Sequence, residues 1–98
     1  MEQSYPLRSL AHLPTLERCT VVGKVMNRGS DFLMLGAGGA TAKVMGLPQE
    51  MEGWVEVRGM ANSGVFVAEE FTRIKTEVDL EAYMKLVHIY ERTDLNLA

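Results

Sequence analysis

The chain has 98 residues, enough for one domain near the size at which a single hydrophobic core becomes self-sufficient. An apolar share of 47% with a charged share of 23% excludes a disordered chain. A formal net charge of −3 argues against a free-standing nucleic-acid binder, whose phosphate contacts leave an excess of Lys and Arg.

The opening MEQSYPLRSL lacks a basic stretch followed by an apolar one, so no secretory signal is expected, and no apolar run approaches membrane-spanning length. The segment PLRSLAHL predicts a short amphipathic helix through Leu7, Leu10 and Leu13. RCTVVGKVM (18–26) is a β-branched first strand. Gly23 in its middle suits either a sharp bend or an ordinary bulge. NRGS follows as a hairpin turn, with Gly29 expected at positive φ. DFLMLGA (31–37) and ATAKVMG (40–46) are the second and third strands, joined by the glycines of GAGG. LPQEME (47–52) places Pro48 where a short helical turn begins. GWVEVRGMA (53–61) alternates strictly, with Val55 and Val57 facing one way and Glu56 and Arg58 the other. NSG turns the chain into VFVAEEFTRI (65–74), the fifth strand.

The last element is TEVDLEAYMKLVHIYER (76–92). Thr76 and Asp79 match a capping box, Glu77 and Asp79 suit the positive end of the helix dipole, and Arg92 suits the other end. Leu80, Tyr83, Met84 and Val87 share one side, and Ala82, Leu86, Ile89 and Tyr90 extend it around a flank. The apolar arc therefore spans roughly 220°, more than one barrel face covers. Only Glu81, Lys85 and His88 form a polar strip. Five strands, a linking segment after the third and flanking helices predict an OB-fold, a five-stranded Greek-key barrel over about residues 17–74 with a C-terminal helix over about 77–92.

The pieces CTVVGKV, GWVEVRG and DLEAYMKLVHIY, in this order and spacing, resemble the smallest subunit of replication protein A, the eukaryotic single-stranded-DNA-binding heterotrimer. The likeness runs from about Leu10 to Tyr90. It implies a non-catalytic, nuclear subunit acting in DNA replication, repair and recombination. It also implies that the surplus apolar arc belongs to a three-helix bundle with the larger and middle subunits, which supply most of the DNA contact. Leu80, Tyr83, Met84, Leu86, Val87, Ile89 and Tyr90 are then the partner-interface residues. Tyr83, Met84, Val87 and Tyr90 are the expected anchors, unless that face packs on the barrel and leaves Leu86 and Ile89 as the seam. The small subunit of the telomere-capping CST complex and other telomeric relatives share the architecture. The chain ends soon after the helix, without the longer aromatic tail of some members.

No set of residues points to catalysis, a cofactor or a metal. Cys19 alternates with Val21 as a small buried hydrophobe, and with His12 and His88 it makes no metal spacing, so a reducing compartment is the simplest reading. His88 has no evident acid, base or nucleophile beside it. Glu69 and Glu70 are adjacent on a strand and point to opposite faces. GAGG leads into β-like sequence, which makes it a turn and not a phosphate cradle. A single-strand site needs aromatic platforms and a basic groove. The second and third strands supply Phe32 and Lys43 alone, and ANSG is too short to wrap DNA. Lys24, Arg28, Lys43 and Arg58 form at most a modest basic patch, if the barrel brings them together. The rival reading is a free single-strand or RNA-binding module, whose basic groove and interleaved aromatics are missing here.

Overall fold

How the sheet closes is decided by its first strand. A computed structural model describes residues 5–76, 80–87 and 89. Strand β1 (Leu16–Arg28) is followed by β2 (Phe32–Ala37), β3 (Ala40–Met45), β4 (Trp54–Asn62) and β5 (Val65–Arg73). β1 pairs antiparallel with β4 from Leu16↔Asn62 to Lys24↔Trp54, then with β2 from Lys24↔Gly36 to Arg28↔Leu33. It therefore serves both sides of a barrel closed in the order β1-β2-β3-β5-β4. A parallel ladder from Lys43↔Val65 to Met45↔Val67 joins β3 to β5. This is the OB-fold, with each strand within two residues of its sequence-based position.

Gly23 lies beside the exchange of partners at Lys24, and its register with Val55 is regular. A Cβ there would lie 3.0 Å from both Leu35 Cβ and Leu10 Cδ1, so the missing side chain admits the curvature. The β1 bulge falls instead between Val25 and Asn27, which settles the choice between bend and bulge. Gly29 differs from expectation. It is absent from the glycines at positive φ. It is needed because a Cβ would be 2.1 Å from Phe32 Cε1. The two-residue turns at Gly38–Gly39 and Ser63–Gly64 do take positive φ at both positions, the geometry whose twist matches flanking strands.

The interior is built from the inward phase of every strand: Val21, Leu33, Leu35, Val44, Val55, Val57 and Phe66 are fully buried. Leu47 and Met51 add buried side chains from the β3–β4 connection, where Met51 N–H donates to Pro48 O at 3.1 Å and closes the single turn expected there. The amphipathic helix expected upstream shrinks to a 3₁₀ turn, Leu10–His12, capped by the Ser9 hydroxyl, which accepts from Ala11 N–H at 3.1 Å. Ahead of it the chain is held extended along β1, because Thr20 N–H donates to Pro6 O at 2.9 Å and Arg8 N–H donates to Thr20 O at 2.8 Å.

Residues 80–87 and 89 form the C-terminal helix, α1, and Leu80 N–H donates to Thr76 O at 3.1 Å. Glu77, Asp79, His88, Tyr90 and Arg92 lie outside the described residues. α1 sits over the outer face of β1: Val22 lines a cleft with Met84, Val87 and Leu10 and is 3% exposed although it points out of the barrel.

Candidate nucleic-acid and partner interfaces

On the β2–β3 surface, Phe32 pairs with Met45 and Met34 with Lys43. The Lys43 ammonium stands 4.5 Å from the centroid of the Phe32 ring, a cation–π contact that leaves both groups half-buried. Because the ring is seated on Gly29, its position is fixed from below.

The other expected cations have other work. Arg28 donates from Nε to Gln49 O at 2.8 Å and from Nη2 to Met51 O, so it fastens the β3–β4 connection to β1. Arg58 donates to Glu70 at 2.9 Å and to Glu56. It sits in a cross-strand row with Thr20 and Glu70, on the β1–β4–β5 side. The barrel thus holds Lys43 beside Phe32 and leaves Lys24 exposed, while both arginines are tied to their own partners.

The acidic residues on β5 do not take opposite faces as strand alternation predicts. A bulge leaves Glu69 as an extra residue between the pairs Arg58↔Glu70 and Gly59↔Ala68, and both carboxylates are exposed on the outer side. Glu70 serves Arg58, while Glu69 accepts from Arg18 at 3.1 Å and from the Tyr5 hydroxyl at 3.2 Å. The Arg18 hydrogen bond holds the Glu69 carboxyl below its ordinary range. Cys19 is fully buried, and desolvation pushes its thiol up to about 11, aided by Glu17 and opposed by Arg8. It is a protonated packing residue and a poor nucleophile. Among the described residues, no three His, Cys, Asp or Glu side chains gather to hold a metal ion. No described helix is long and apolar enough to cross a membrane.

α1 divides the partner-interface candidates. Leu80, Tyr83, Met84 and Val87 are half-buried. Leu80 lines a small cleft with Trp54 and Ile74, and Met84 and Val87 line a cleft of about 300 Å³ with Leu10, Val22 and Ala37. Leu86 and Ile89 are 45% and 55% exposed. Tyr90 lies outside the described residues. Sequence reasoning passed over Trp54, which pairs in register with Lys24 on the outer face. The signal was present, since Trp54 falls in the opposite phase from Val55 and Val57.

No known protein-family model matches the sequence, and no curated protein matches it. Solved structures do match the fold. Telomere capping protein Ten1 from Saccharomyces pombe aligns with a TM-score of 0.72 at 14% identity, over 91% of this chain and 99% of that one. A chain of the S. pombe Stn1–Ten1 complex gives 0.75 at 16% identity, over 94% and 96%. A chain of U. maydis replication protein A bound to single-stranded DNA gives 0.72 at 23% identity, over 91% of each. Likeness at these identities is one of fold, and it extends over nearly the whole of each chain.

Proposed function

We propose that this chain is a non-catalytic OB-fold subunit of a heteromeric single-stranded-DNA-binding complex of the replication protein A kind, acting in the nucleus in replication, repair and recombination. The larger and middle subunits carry most of the DNA contact, and α1 joins them in a three-helix bundle. The observation that carries this reading is the exposed Leu86–Ile89 flank on a helix whose other flank already faces the barrel. Exposed apolar surface of this kind marks interfaces. The fold likeness to a chain of replication protein A supports it. A telomere-capping subunit is the second reading, favoured by the match to Ten1 over 99% of that chain.

The test is capture of the tagged full chain from native extract, followed by identification of the stoichiometric partners and a single-strand binding assay on the eluate. The expected result is one or two larger subunits that bind single-stranded DNA themselves. A chain recovered alone, or with partners that do not bind DNA, overturns the proposal. Chromatin occupancy then separates the two readings: replicating DNA throughout the genome for the first, chromosome ends alone for the second.

A further inference from the structure

Trp54 and Lys24 belong to one row of residues that crosses four strands on the outer face of the barrel. Thr41 pairs with Gly36, Gly36 with Lys24, and Lys24 with Trp54. Val55 and Val57 are fully buried, so Trp54, in the alternate phase, faces outward. A cleft of about 270 Å³ opens along this row. Trp54 and Lys24 line it on one side, and Met26, 57% exposed, lines it on another. Met26 leans over bare backbone, since a Cβ on Gly36 would lie 2.8 Å from its Cγ. The Gly38–Gly39 turn closes the cleft with no side chain, and nothing stands within 4 Å of where a Cβ would project at either glycine. The cleft is therefore floored partly by bare backbone and partly aromatic, with one cation in its lining.

The charge pattern leaves that cation without an ion pair among the described residues, and the cleft lining sets it apart from the others. Arg8, Arg18, Arg28 and Arg58 each have a carboxylate within ion-pair distance: Glu17, Glu69, Glu52, and Glu56 with Glu70. Among the described residues, Arg73, Lys75 and Lys85 have none, and neither do Lys24 on β1 and Lys43 on β3. Lys24 and Lys43 each stand on the outer face beside an aromatic ring of a neighbouring strand, Trp54 in one case and Phe32 in the other. An aromatic platform with an uncompensated cation is the pairing that holds a nucleobase and its phosphate. Gly36 lies four residues along β2 from Phe32, and Trp54 lies two strands from β2. At about 3.4 Å per residue and about 4.8 Å per strand, the two rings are roughly 17 Å apart, a span of a few extended nucleotides.

We propose that the Trp54–Lys24 cleft holds one nucleotide of a single-stranded nucleic acid, with the base stacked on the indole and a flanking phosphate on the Lys24 ammonium. The strand continues over Gly36 toward Lys43 and Phe32. This rests on the single-strand reading above and adds a contact made by this subunit itself, on a cleft away from the Phe32 ring. Net charge −3 keeps the contact weak in isolation, so its place is to extend the track of an assembled complex.

Trp54 is the only tryptophan, so its emission reports on the cleft directly. The full chain is titrated with ten-nucleotide oligo-dT, and separately with oligo-rU, at low salt. Saturable quenching of Trp54 by either strand is expected. Lys24→Ala, at an exposed position that leaves the core intact, should weaken binding about five-fold at 0.1 M salt and lower the slope of log affinity against log salt by about 0.7. Trp54→Phe should retain more binding of a labelled strand than Trp54→Ala. Absence of quenching by both strands, or quenching that Lys24→Ala leaves unchanged in affinity and slope, overturns the proposal. Partner capture by the Lys24→Ala chain keeps the two ideas separate. Intact capture of a DNA-binding partner by a chain whose Trp54 is never quenched sinks the cleft alone. Quenching in a chain that captures no such partner sinks the subunit reading and leaves the cleft standing.

Discussion

The two flanks of α1 carry the same kind of side chain and meet different surroundings. Met84 and Val87 face the outer surface of β1, beside Leu10 and Val22. Leu86 and Ile89 lie half open to solvent. Hydrophobicity does not separate the two pairs. What separates them is the presence or absence of barrel opposite, since one sheet face covers only part of an arc of roughly 220°. One flank therefore contributes to the stability of this chain, and the other is exposed, the surface on which the proposed partner would seat.

The largest effect should come from the exposed flank. Leu86→Glu with Ile89→Glu should abolish co-purification of the proposed larger subunits, because two unpaired charges would enter the desolvated seam of that proposal. The same double variant should change the stability of the isolated chain by less than about 0.5 kcal/mol, the range of surface substitutions. Intact capture together with a large drop in melting temperature would invert the assignment of the flanks. Next in size is Met84→Ala with Val87→Ala. Their partial burial predicts a loss of about 1–3 kcal/mol in urea denaturation of the isolated chain, below the cost of emptying a full core site.

Two smaller effects sharpen the comparison by reporting on the barrel alone. The Cys19 thiol is pushed up from its ordinary value of 9.0 to about 11. The unfolded chain then releases this proton before the folded chain does. Its contribution to stability is present below about pH 9 and is lost as pH rises toward about 11. Alkaline melts should show this decline, and Cys19→Ala should flatten it. Alkylation of native Cys19 at pH 8 should be slow, and should stay slow in the Leu86/Ile89 variant. The smallest effect is at Glu69. The Arg18 hydrogen bond lowers its carboxyl, so its contribution is present above the unfolded pKa and lost as pH falls through the folded one. Glu69→Gln should remove a shallow acid-side slope from the stability curve and leave partner capture unchanged.

Much of the barrel was legible because its signals are local. Alternation of Val55 and Val57 with Glu56 and Arg58 states which phase is inside, and paired glycines mark the β2–β3 turn. The misreadings came where a contact distant in sequence overrode a local preference. Leu7 lies extended because Thr20 takes the hydrogen bonds of Pro6 and Arg8. Gly29 meets a ring three residues on, although NRGS reads as a turn that needs positive φ. The candidate binding residues were legible one at a time. Lys24, Phe32, Lys43 and Arg58 were visible as charges and a ring, but their company was not.

Composition, turn chemistry and periodicity by themselves determined that this chain forms five short strands and ends in a helix with more apolar surface than one barrel face covers. These properties depend on neighbours within a few positions, and the polypeptide carries them into any packing. The tertiary structure decided which flank of α1 meets β1, and which cations remain uncompensated. Arg58 meets Glu56 on its own strand, but its second partner, Glu70, comes from the sheet order that sets β4 beside β5, while Lys24 met Trp54 across β1 and β4. Such pairings follow from register between strands thirty residues apart, as Lys24 and Trp54 are, and residue spacing along a chain does not state register.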